Sequence, residues 1–291
     1  MIQAVLYKHM TSYLGEAAIW HPGRNSFFWV DLEAGWLYSC SENQQDLQRW
    51  QLDAPIGTVV PDESTGLVLA LPGSLFRFDP DTGLKEKIVS LDQEPETNRS
   101  NDGKCDPSGR LWLGTLALDE SEGAGRLYCI PAHGEPEIRI PRATIPNGIV
   151  WTRDRTTMYW IDTPTRQILA FGYEDRTGCL GDARVAVQIP PDLGMPDGMA
   201  IDSEDMLWVA HWGGSGVYRW DPRSSALLDK IEVPAPNVTS CAFGGTDYRD
   251  MIITTARKGL SADALERFPE SGSVYYCVPG VKGVPPNQCK L

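Results

Sequence analysis

The chain has 291 residues, a formal net charge of −13 and an ordinary share of hydrophobic residues, 42%. This negative charge opposes nucleic acid and anionic membrane surfaces, so we expect neither as a partner. The seven cysteines are scattered and form no CxxC pair, which favours buried free thiols over a disulfide framework or a zinc cluster. The first residues lack the apolar core of a signal peptide, and no segment suits a membrane span, so we expect a cytoplasmic protein.

A weak repeat runs through the chain from Phe27 onwards. Each unit has a short hydrophobic strand, a gap with glycine or polar residues, and a second strand that ends near a turn. The third residues of the leading strands recur at intervals of 40, 44, 47, 49 and 44, and they are Trp29, Leu69, Leu113, Trp160, Val209 and Ile253. Apolar spacing near two predicts β-strands rather than helical hairpins. Such a repeat is typical of propeller blades, so we predict an all-β, six-bladed β-propeller with a central channel, as a single domain over residues 1–291.

A further strand precedes each repeat, and these six strands are predicted to line the channel. They begin at Gly15, Ile56, Asn101, Pro146, Pro196 and Val238. Because the strand nearest the axis starts at one rim of the propeller, the six starts should converge although they are distant in sequence. Turn signals at residues 79–83, 106–109 and 221–222 mark the hairpins. The leading segment, residues 2–9, is expected to pair with the last blade and cover its edge.

Three of the six strand starts carry cation ligands, namely Glu16, Asn147 and Asp197. Taken alone, Asn147-Gly148 and Asp197-Gly198 are also common turn dipeptides, but the shared position in the repeat favours a site. Carboxylates gathered in a buried channel repel each other, and a bound cation relieves that repulsion. An all-oxygen ligand set suits calcium, magnesium or manganese, with zinc or iron as alternatives. The four histidines form no His-x-His or HExxH arrangement, which argues against a histidine-rich zinc site.

The segment from Asn98 to Gly103 opens the third blade at the same rim. Arg99 can donate a planar fork of hydrogen bonds and Asn101 can both donate and accept. On residue chemistry alone, a surface loop with a solvated arginine is the preferred interpretation. Trp212 could face a sugar ring, although packing in the core is favoured. No GxSxG elbow is present, so Ser/His/Asp catalysis has no support.

The chain resembles the senescence marker protein/gluconolactonase/luciferin-regenerating enzyme family, which includes regucalcin and bacterial sugar lactonases. The matching motifs extend nearly from end to end, in the family's order and spacing. They are 14–16 (LGE) with Trp20, 98–103 (NRSNDG), 109–115 (GRLWLGT), 147–148 (NG), 196–199 (PDGM), 207–210 (LWVA), 241–245 (CAFGG), 254–257 (TTAR) and 272–274 (GSV). Segments 210–214, 234–239 and 258–261 look more like the bacterial aldonolactonases than like regucalcin.

The resemblance implies a six-bladed propeller whose metal ligands fall on Glu16, Asn147 and Asp197. It places substrate contacts on Arg99 and Asn101, and a further acidic contact of some members at Asp119, in a loop shorter than that of regucalcin. It implies one divalent metal ion, with calcium as the first choice and manganese, magnesium, zinc or iron as alternatives.

The activity implied is metal-dependent hydrolysis of aldono-1,4- or 1,5-lactones, such as gluconolactone, xylonolactone or arabinonolactone. Asp197 is expected to act as general base as well as metal ligand. The expected partner is a small-molecule sugar lactone, and the expected state is a monomer or weak homo-oligomer. The alternatives are a related esterase or organophosphate hydrolase, a non-catalytic calcium-binding regulatory propeller and, ranked last, a pure interaction propeller.

Overall fold

The computed structural model describes residues 2–41 and 46–291. Six sheets form the blades of a propeller, which confirms the predicted all-β, six-bladed architecture: each has four antiparallel strands, and one has a fifth strand that pairs in parallel. One short helix, α1 (Ala262–Arg267), and three 3-10 turns interrupt the strands. In chain order the strands are β1 (Ile2–Gln3), β2 (Val5–Lys8), β3 (Gly15–His21), β4 (Ser26–Asp31), β5 (Trp36–Ser41), β6 (Leu47–Gln51), β7 (Thr58–Pro61), β8 (Leu67–Leu71), β9 (Ser74–Phe78), β10 (Lys85–Ser90), β11 (Asn98–Cys105), β12 (Leu111–Ala117), β13 (Gly125–Ile130), β14 (Glu137–Ala143), β15 (Pro146–Trp151), β16 (Thr157–Asp162), β17 (Gln167–Glu174), β18 (Cys179–Gln188), β19 (Met195–Ile201), β20 (Leu207–Trp212), β21 (Gly216–Asp221), β22 (Ala226–Glu232), β23 (Val238–Gly244), β24 (Asp250–Thr255) and β25 (Val274–Cys277).

The blades follow one another in sequence around the channel. Blade 1 contains β3 to β6, blade 2 β7 to β10, blade 3 β11 to β14, blade 4 β15 to β18, blade 5 β19 to β22 with β1, and blade 6 β23 to β25 with β2. The first strands β3, β7, β11, β15, β19 and β23 each contact the first strand of the next blade and so line the channel. Their observed starts differ from the predicted ones by at most three residues, as at Asn98 and Thr58.

The six repeat anchors all lie in the second strand of a blade, and all are buried. Apolar side chains from both faces of each blade form clusters with those of the neighbouring blades, because an inner sheet of a propeller has no solvent-facing side. The largest fully buried side chains include Trp20, Trp29, Trp112 and Trp208. Trp212 is half-buried and packs against the cluster that contains Leu14, as the packing interpretation predicts.

Residues near the N-terminus close the ring. Strand β2 pairs antiparallel with β25 in blade 6, which confirms the prediction, and so it covers the outer edge of that blade. Strand β1 adds a contact that the sequence did not predict, because it pairs parallel with β22 in blade 5. One short segment therefore ties the last two blades together.

The predicted turns are present at the hairpins. Gly83 donates its backbone N–H to the carbonyl of Asp79 at 2.8 Å, and Gly109 donates to the carbonyl of Asp106 at 2.9 Å. Ser225 does the same with Asp221 at 2.8 Å. In each turn an aspartate at the first position also accepts backbone N–H groups with its side chain.

All seven cysteines are free, and six of them are buried. The expectation of buried free thiols is therefore confirmed except at Cys179, which is exposed at the start of an outer strand. Within residues 2–41 and 46–291, no helix has the length and apolar character that crossing a bilayer requires.

The C-terminal segment covers the channel at the end opposite the strand starts. Backbone N–H groups of Val284 and Cys289 donate to Ile201 and Pro61, which are the last residues of two channel strands. The amide of Asn287 donates to the carbonyl of Cys105 at 3.0 Å, at the end of a third. Behind this cover lies a mostly apolar cavity of about 80 Å³.

Candidate functional site at the channel mouth

Glu16, Asn147 and Asp197 occupy the same position in blades 1, 4 and 5. In each blade the residue before the candidate ligand pairs with a polar residue at or near the end of the second strand. The pairs are Gly15 with Asp31, Pro146 with Asp162, and Pro196 with His211. The pairing register then shifts: after Glu16 in blade 1, after Asn147 in blade 4, and after Pro196 in blade 5. Such β-bulges redirect side chains, so all three ligands are presented by the same local device.

The polar partners Asp31, Asp162 and His211 each bind the backbone of the loop that leads into a candidate ligand. The two aspartates each accept two backbone N–H groups, from residues 13 and 14 and from residues 144 and 145, at 2.8 to 3.0 Å. The imidazole Nδ1 of His211 lies 2.7 Å from the carbonyl of Leu193. Burial lowers the pKa of His211 to about 4, so the ring is neutral at pH 7 and donates from Nδ1.

Gly148 and Gly198 follow two of the ligands, at positions where a side chain would not fit. The sequence argument expects a tight turn here, but neither glycine has a positive φ. A Cβ on Gly198 would lie 2.8 Å from the carbonyl oxygen of Thr239, and one on Gly148 would lie 2.8 Å from that of Asp197. The next channel strand therefore passes too close for a side chain. The third ligand is followed by Ala17, which adopts a φ of 52° instead.

The Glu16 and Asp197 carboxylates share a desolvated space. Burial, reinforced by the charge of Asp102, raises the pKa of Glu16 to about 8. Burial also raises the pKa of Asp197 well above its ordinary value, and the charges of Glu16 and Asp102 add to that shift. Asp197 is 5% exposed, and its Oδ1 has no hydrogen-bond partner among the described residues. Two carboxylates that disfavour each other's charge, one with an orphaned oxygen, fit a bound cation.

Asn147 is oriented from both ends of its amide. Its Nδ2 donates to Thr163 Oγ1 at 2.8 Å, and Thr163 Oγ1 donates to the carbonyl of Pro196 at 2.8 Å. Its Oδ1 accepts from Asn101 Nδ2 at 2.9 Å, which leaves a second lone pair free. The two partners fix which end of the amide is oxygen, and oxygen is the donor atom that a hard cation requires.

Arg99 and Asn101 belong to this network and are not a solvated loop. Arg99 is 8% exposed and Asn101 7% exposed. Arg99 Nη1 donates to Asn101 Oδ1 at 2.7 Å and to the carbonyl of Ser100 at 3.0 Å. Burial lowers the pKa of Arg99, while the charges of Glu33, Glu16 and other acids oppose that shift. The interpretation as a solvated surface loop, which residue chemistry alone favours, is therefore wrong, and the role of both residues as substrate contacts stays a prediction.

Asp119 lies apart from these residues, in the loop after β12. It is exposed, and its Oδ1 accepts from the backbone and hydroxyl of Ser121 at 3.1 and 2.6 Å, which lowers its pKa. The loop is at the correct rim, because Leu116 at the end of β12 pairs with Arg99. Its role as a substrate contact stays a prediction.

Several residues at the mouth escaped the sequence analysis. Asp102 follows Asn101 within the β11 bulge, and burial raises its pKa. Its place in a motif already singled out was the signal that could have identified it. The other three are Lys258, Glu33 and Glu120, which lie on loops of three different blades. Nothing in their sequence spacing predicts that they meet.

The residues present fit a single divalent cation. The donor set is two carboxylates and an amide oxygen, and Glu16 and Asp197 carry together two negative charges when ionised, which a divalent ion would balance. Over residues 2–41 and 46–291, no group of three or more His, Cys, Asp or Glu side chains has metal-ligand geometry, so the candidate site depends on the amide as its third ligand.

Comparison with known proteins identifies relatives over nearly the whole chain. Residues 14–257 match the family described as SMP-30/Gluconolactonase/LRE-like region. Regucalcin from Bos taurus is 33% identical over 280 residues, which cover 94% of each chain.

Two solved structures share the fold closely. One is regucalcin, a calcium-binding protein from Agrobacterium tumefaciens, with a TM-score of 0.94 and 28% identity over 100% of this chain and 98% of that one. The other is a luciferin-regenerating enzyme, with a TM-score of 0.91 and 27% identity over 100% of this chain and 99% of that one.

Proposed function

The chain belongs to the SMP-30/gluconolactonase/LRE-like family, and from that premise we propose that it hydrolyses a sugar lactone to the open aldonic acid. The proposed site is the channel mouth, with one divalent cation held by Glu16, Asn147 and Asp197. The observation that carries the proposal is the Asp197 carboxylate, which is buried beside Glu16 with an oxygen that finds no partner among the described residues. Calcium is the first candidate, because the A. tumefaciens relative is described as a calcium-binding protein.

When bound, the cation would supply Lewis acidity towards the lactone carbonyl, and Glu16 and Asn147 would serve as ligands only. Asp197 would also accept the proton of the attacking water. The water oxygen would bond to the carbonyl carbon, the ester C–O bond would break, and Asp197 would return the proton to the departing ring oxygen, which becomes a hydroxyl group. A general base typically contributes 10²- to 10⁴-fold in rate.

Arg99 and Asn101 would orient the lactone. Both are nearly buried and already held by neighbours, so they lose little conformational freedom when a ligand binds. Glu16 and Asp197 are among the acids whose charges act on Arg99, so its guanidinium lies near the proposed cation site, while the Asn101 amide nitrogen already donates to Pro146 and Asn147. The guanidinium carries five N–H donors, which suit a ligand carbonyl and its hydroxyl groups.

Calcium binding without catalysis is the second candidate, and the description of the A. tumefaciens relative favours it. A related esterase or organophosphate hydrolase would use the same metal and base on another electrophile. Both predict a bound cation at the same three residues, so metal binding alone does not separate them from a lactonase.

A substrate panel on metal-stripped protein tests the proposal. The protein is reloaded singly with calcium, magnesium, manganese, zinc or iron(II), and acid release from pentono- and hexonolactones is followed at constant pH. We expect turnover only with metal, and none above background on a phosphotriester. Thermal stabilisation by metal without turnover would favour the calcium-binding alternative. Equal hydrolysis by stripped and reloaded protein would overturn the metal-dependent mechanism.

A further inference from the structure

A lysine side chain extends across the channel mouth. Lys258 Nζ lies 2.7 Å from Glu33 Oε1 and 3.8 Å from Glu120 Oε1. Lys258 follows β24 of blade 6, Glu33 follows β4 of blade 1, and Glu120 follows β12 of blade 3. In the order of channel strands, blades 3 and 6 lie opposite each other. The contact between Lys258 and Glu120 therefore crosses the channel mouth and does not join neighbouring blades.

The base of this lysine is fixed. Its backbone N–H donates to the carbonyl of Tyr13 at 2.9 Å, and its carbonyl accepts from Asn237 Nδ2 at 2.9 Å. Tyr13 is itself held by Asp31, in the turn that leads into Glu16. The backbone of Lys258 is thus coupled to the turn that presents a candidate metal ligand, while the side chain can swing from that fixed point.

The three charges lie above the proposed site and not on a remote surface. Glu33 and Glu120 both oppose the lowering of the Arg99 pKa by burial. Glu33, Glu120 and Lys258 each follow the end of a second strand that pairs with the start of a channel strand, at Gly15, Arg99 and Val238 respectively. The lysine therefore lies at the rim that carries the candidate ligands, beside the turn that leads into Glu16.

A ligand can easily displace the contacts of Lys258 with Glu33 and Glu120. The side chains of Lys258 and Glu33 are 29% and 35% exposed, and ion pairs of that exposure contribute at most about 1 kcal/mol. The distance of 3.8 Å to Glu120 is longer than a hydrogen bond, so the ammonium has donor capacity left for a ligand hydroxyl group. An ammonium offers three donors and the carboxylates offer acceptors, which together match a polyhydroxylated ring.

We infer that Lys258, with Glu33 and Glu120, forms a subsite that holds the hydroxyl groups of a neutral polyhydroxylated lactone and so determines specificity. This inference rests on the proposed lactonase function. The lysine is a positioning residue, because it binds the part of the ring that does not react. An unsubstituted lactone has no groups for the subsite and would bind without it.

The test compares two lactones in Lys258→Met, which keeps the unbranched stem of the side chain and removes the ammonium. The assay measures kcat/KM for a pentono-1,4-lactone and for γ-butyrolactone at saturating cation. We expect the ratio of the two to fall about 10- to 100-fold, through KM of the hydroxylated substrate. The matched control is Lys290→Met, since Lys290 lies 3.7 Å from Glu63 Oε1 in an ion pair on another part of the surface. We expect that variant to keep the wild-type ratio.

An unchanged ratio in Lys258→Met, or an equal loss on both lactones, would overturn the inference while the lactonase proposal stands. If the wild-type protein hydrolyses neither lactone, the proposed function fails, and binding then tests the subsite alone. D-xylose should raise the melting temperature of wild type and of Lys290→Met but not of Lys258→Met. Equal responses, or no response in any of the three proteins, would contradict the subsite.

Discussion

The two ends of the channel are built from the same six strands, yet they carry opposite kinds of chemistry. At the strand starts, Asp197 is buried with an unpartnered oxygen and a raised pKa. Just beyond the end of the same strand β19, Asp202 is fully buried but accepts from Trp208 Nε1 at 2.9 Å, from Arg219 Nε at 2.8 Å and from two backbone N–H groups. Four residues lie between a carboxylate with an unpartnered oxygen and one whose two oxygens are both hydrogen-bonded.

This difference shows how one repeat separates stability from function. At the turn ends of blades 3 and 5, Asp106 and Asp202 have both carboxylate oxygens hydrogen-bonded, and the C-terminal segment covers this end of the channel. The mouth keeps bulges and desolvated charges that cost stability, as functional sites commonly do. The predictions below compare the two ends.

The largest effect is expected from Asp197→Asn. The amide cannot accept the proton of water and is a weaker cation ligand, so kcat should fall about 10³-fold or more at saturating cation. Because the substitution removes a buried charge, the metal-free variant should melt no lower than wild type. Acid release and thermal unfolding are measured on the same preparation. Full lactonase activity in this variant would refute its role as base.

Asp202→Asn should have the opposite effects, because it should lower stability and leave kcat nearly unchanged. It breaks the buried ion pair with Arg219, whose Nη2 lies 2.7 Å from Asp202 Oδ2, and we expect a loss of about 3 kcal/mol in the free energy of unfolding. Urea titration measures that loss, and kcat of the folded fraction should stay within about twofold of wild type, since this carboxylate lies outside the site. A loss of kcat as large as that of Asp197→Asn would break the distinction between the two ends.

Gly198→Ala tests the close approach of the channel strands at the mouth. The added Cβ would lie 2.8 Å from the carbonyl oxygen of Thr239, so overpacking should cost about 2 kcal/mol in stability. Gly172→Ala is the matched control, because nothing lies within 4 Å of its Cβ in the outer strand β17, and it should change stability by no more than about 0.5 kcal/mol. Similar melting temperatures for the two variants would show that the strand can shift.

The smallest effect is the pH dependence of the metal-free protein. The folded-state pKa of Glu16 is about 8 against an ordinary 4.5, so its contribution to stability is complete below 4.5 and is lost as the pH rises through 8. Metal-free wild type should therefore lose about 3 °C in melting temperature between pH 5 and pH 8 relative to Glu16→Gln. Added calcium should restore the loss at pH 8. Parallel pH profiles of the two proteins would show that Glu16 is not strained.

The sequence repeat allowed the fold and the three candidate ligands to be predicted. Glu16, Asn147 and Asp197 could be identified because they share one position in a regular period, and the structure places them at equivalent bulges. Turn residues such as Asp106 could be identified because turn chemistry is local. Arg99 could not be placed from its chemistry alone, since burial of a charge depends on neighbours distant in sequence.

What escaped prediction depends on distances between blades. The close approach at Gly148 and the contact of Lys258 with Glu120 have no periodic signature, because each joins segments that only the closed ring brings together. His211 was recognised only as lacking a metal motif, whereas it occupies the position that aspartates hold in blades 1 and 4. Aligning the repeats at the end of the second strand could have revealed that equivalence.

The central claim is that one divalent cation binds between Glu16, Asn147 and Asp197. The most direct measurement is an anomalous difference map from crystals of metal-stripped protein soaked in manganese, a scattering substitute with the same preference for oxygen ligands. We predict one strong peak within coordination distance of these three side chains, and its loss in Asp197→Asn crystals. A peak elsewhere, or no peak at the mouth at saturating manganese, would contradict the account.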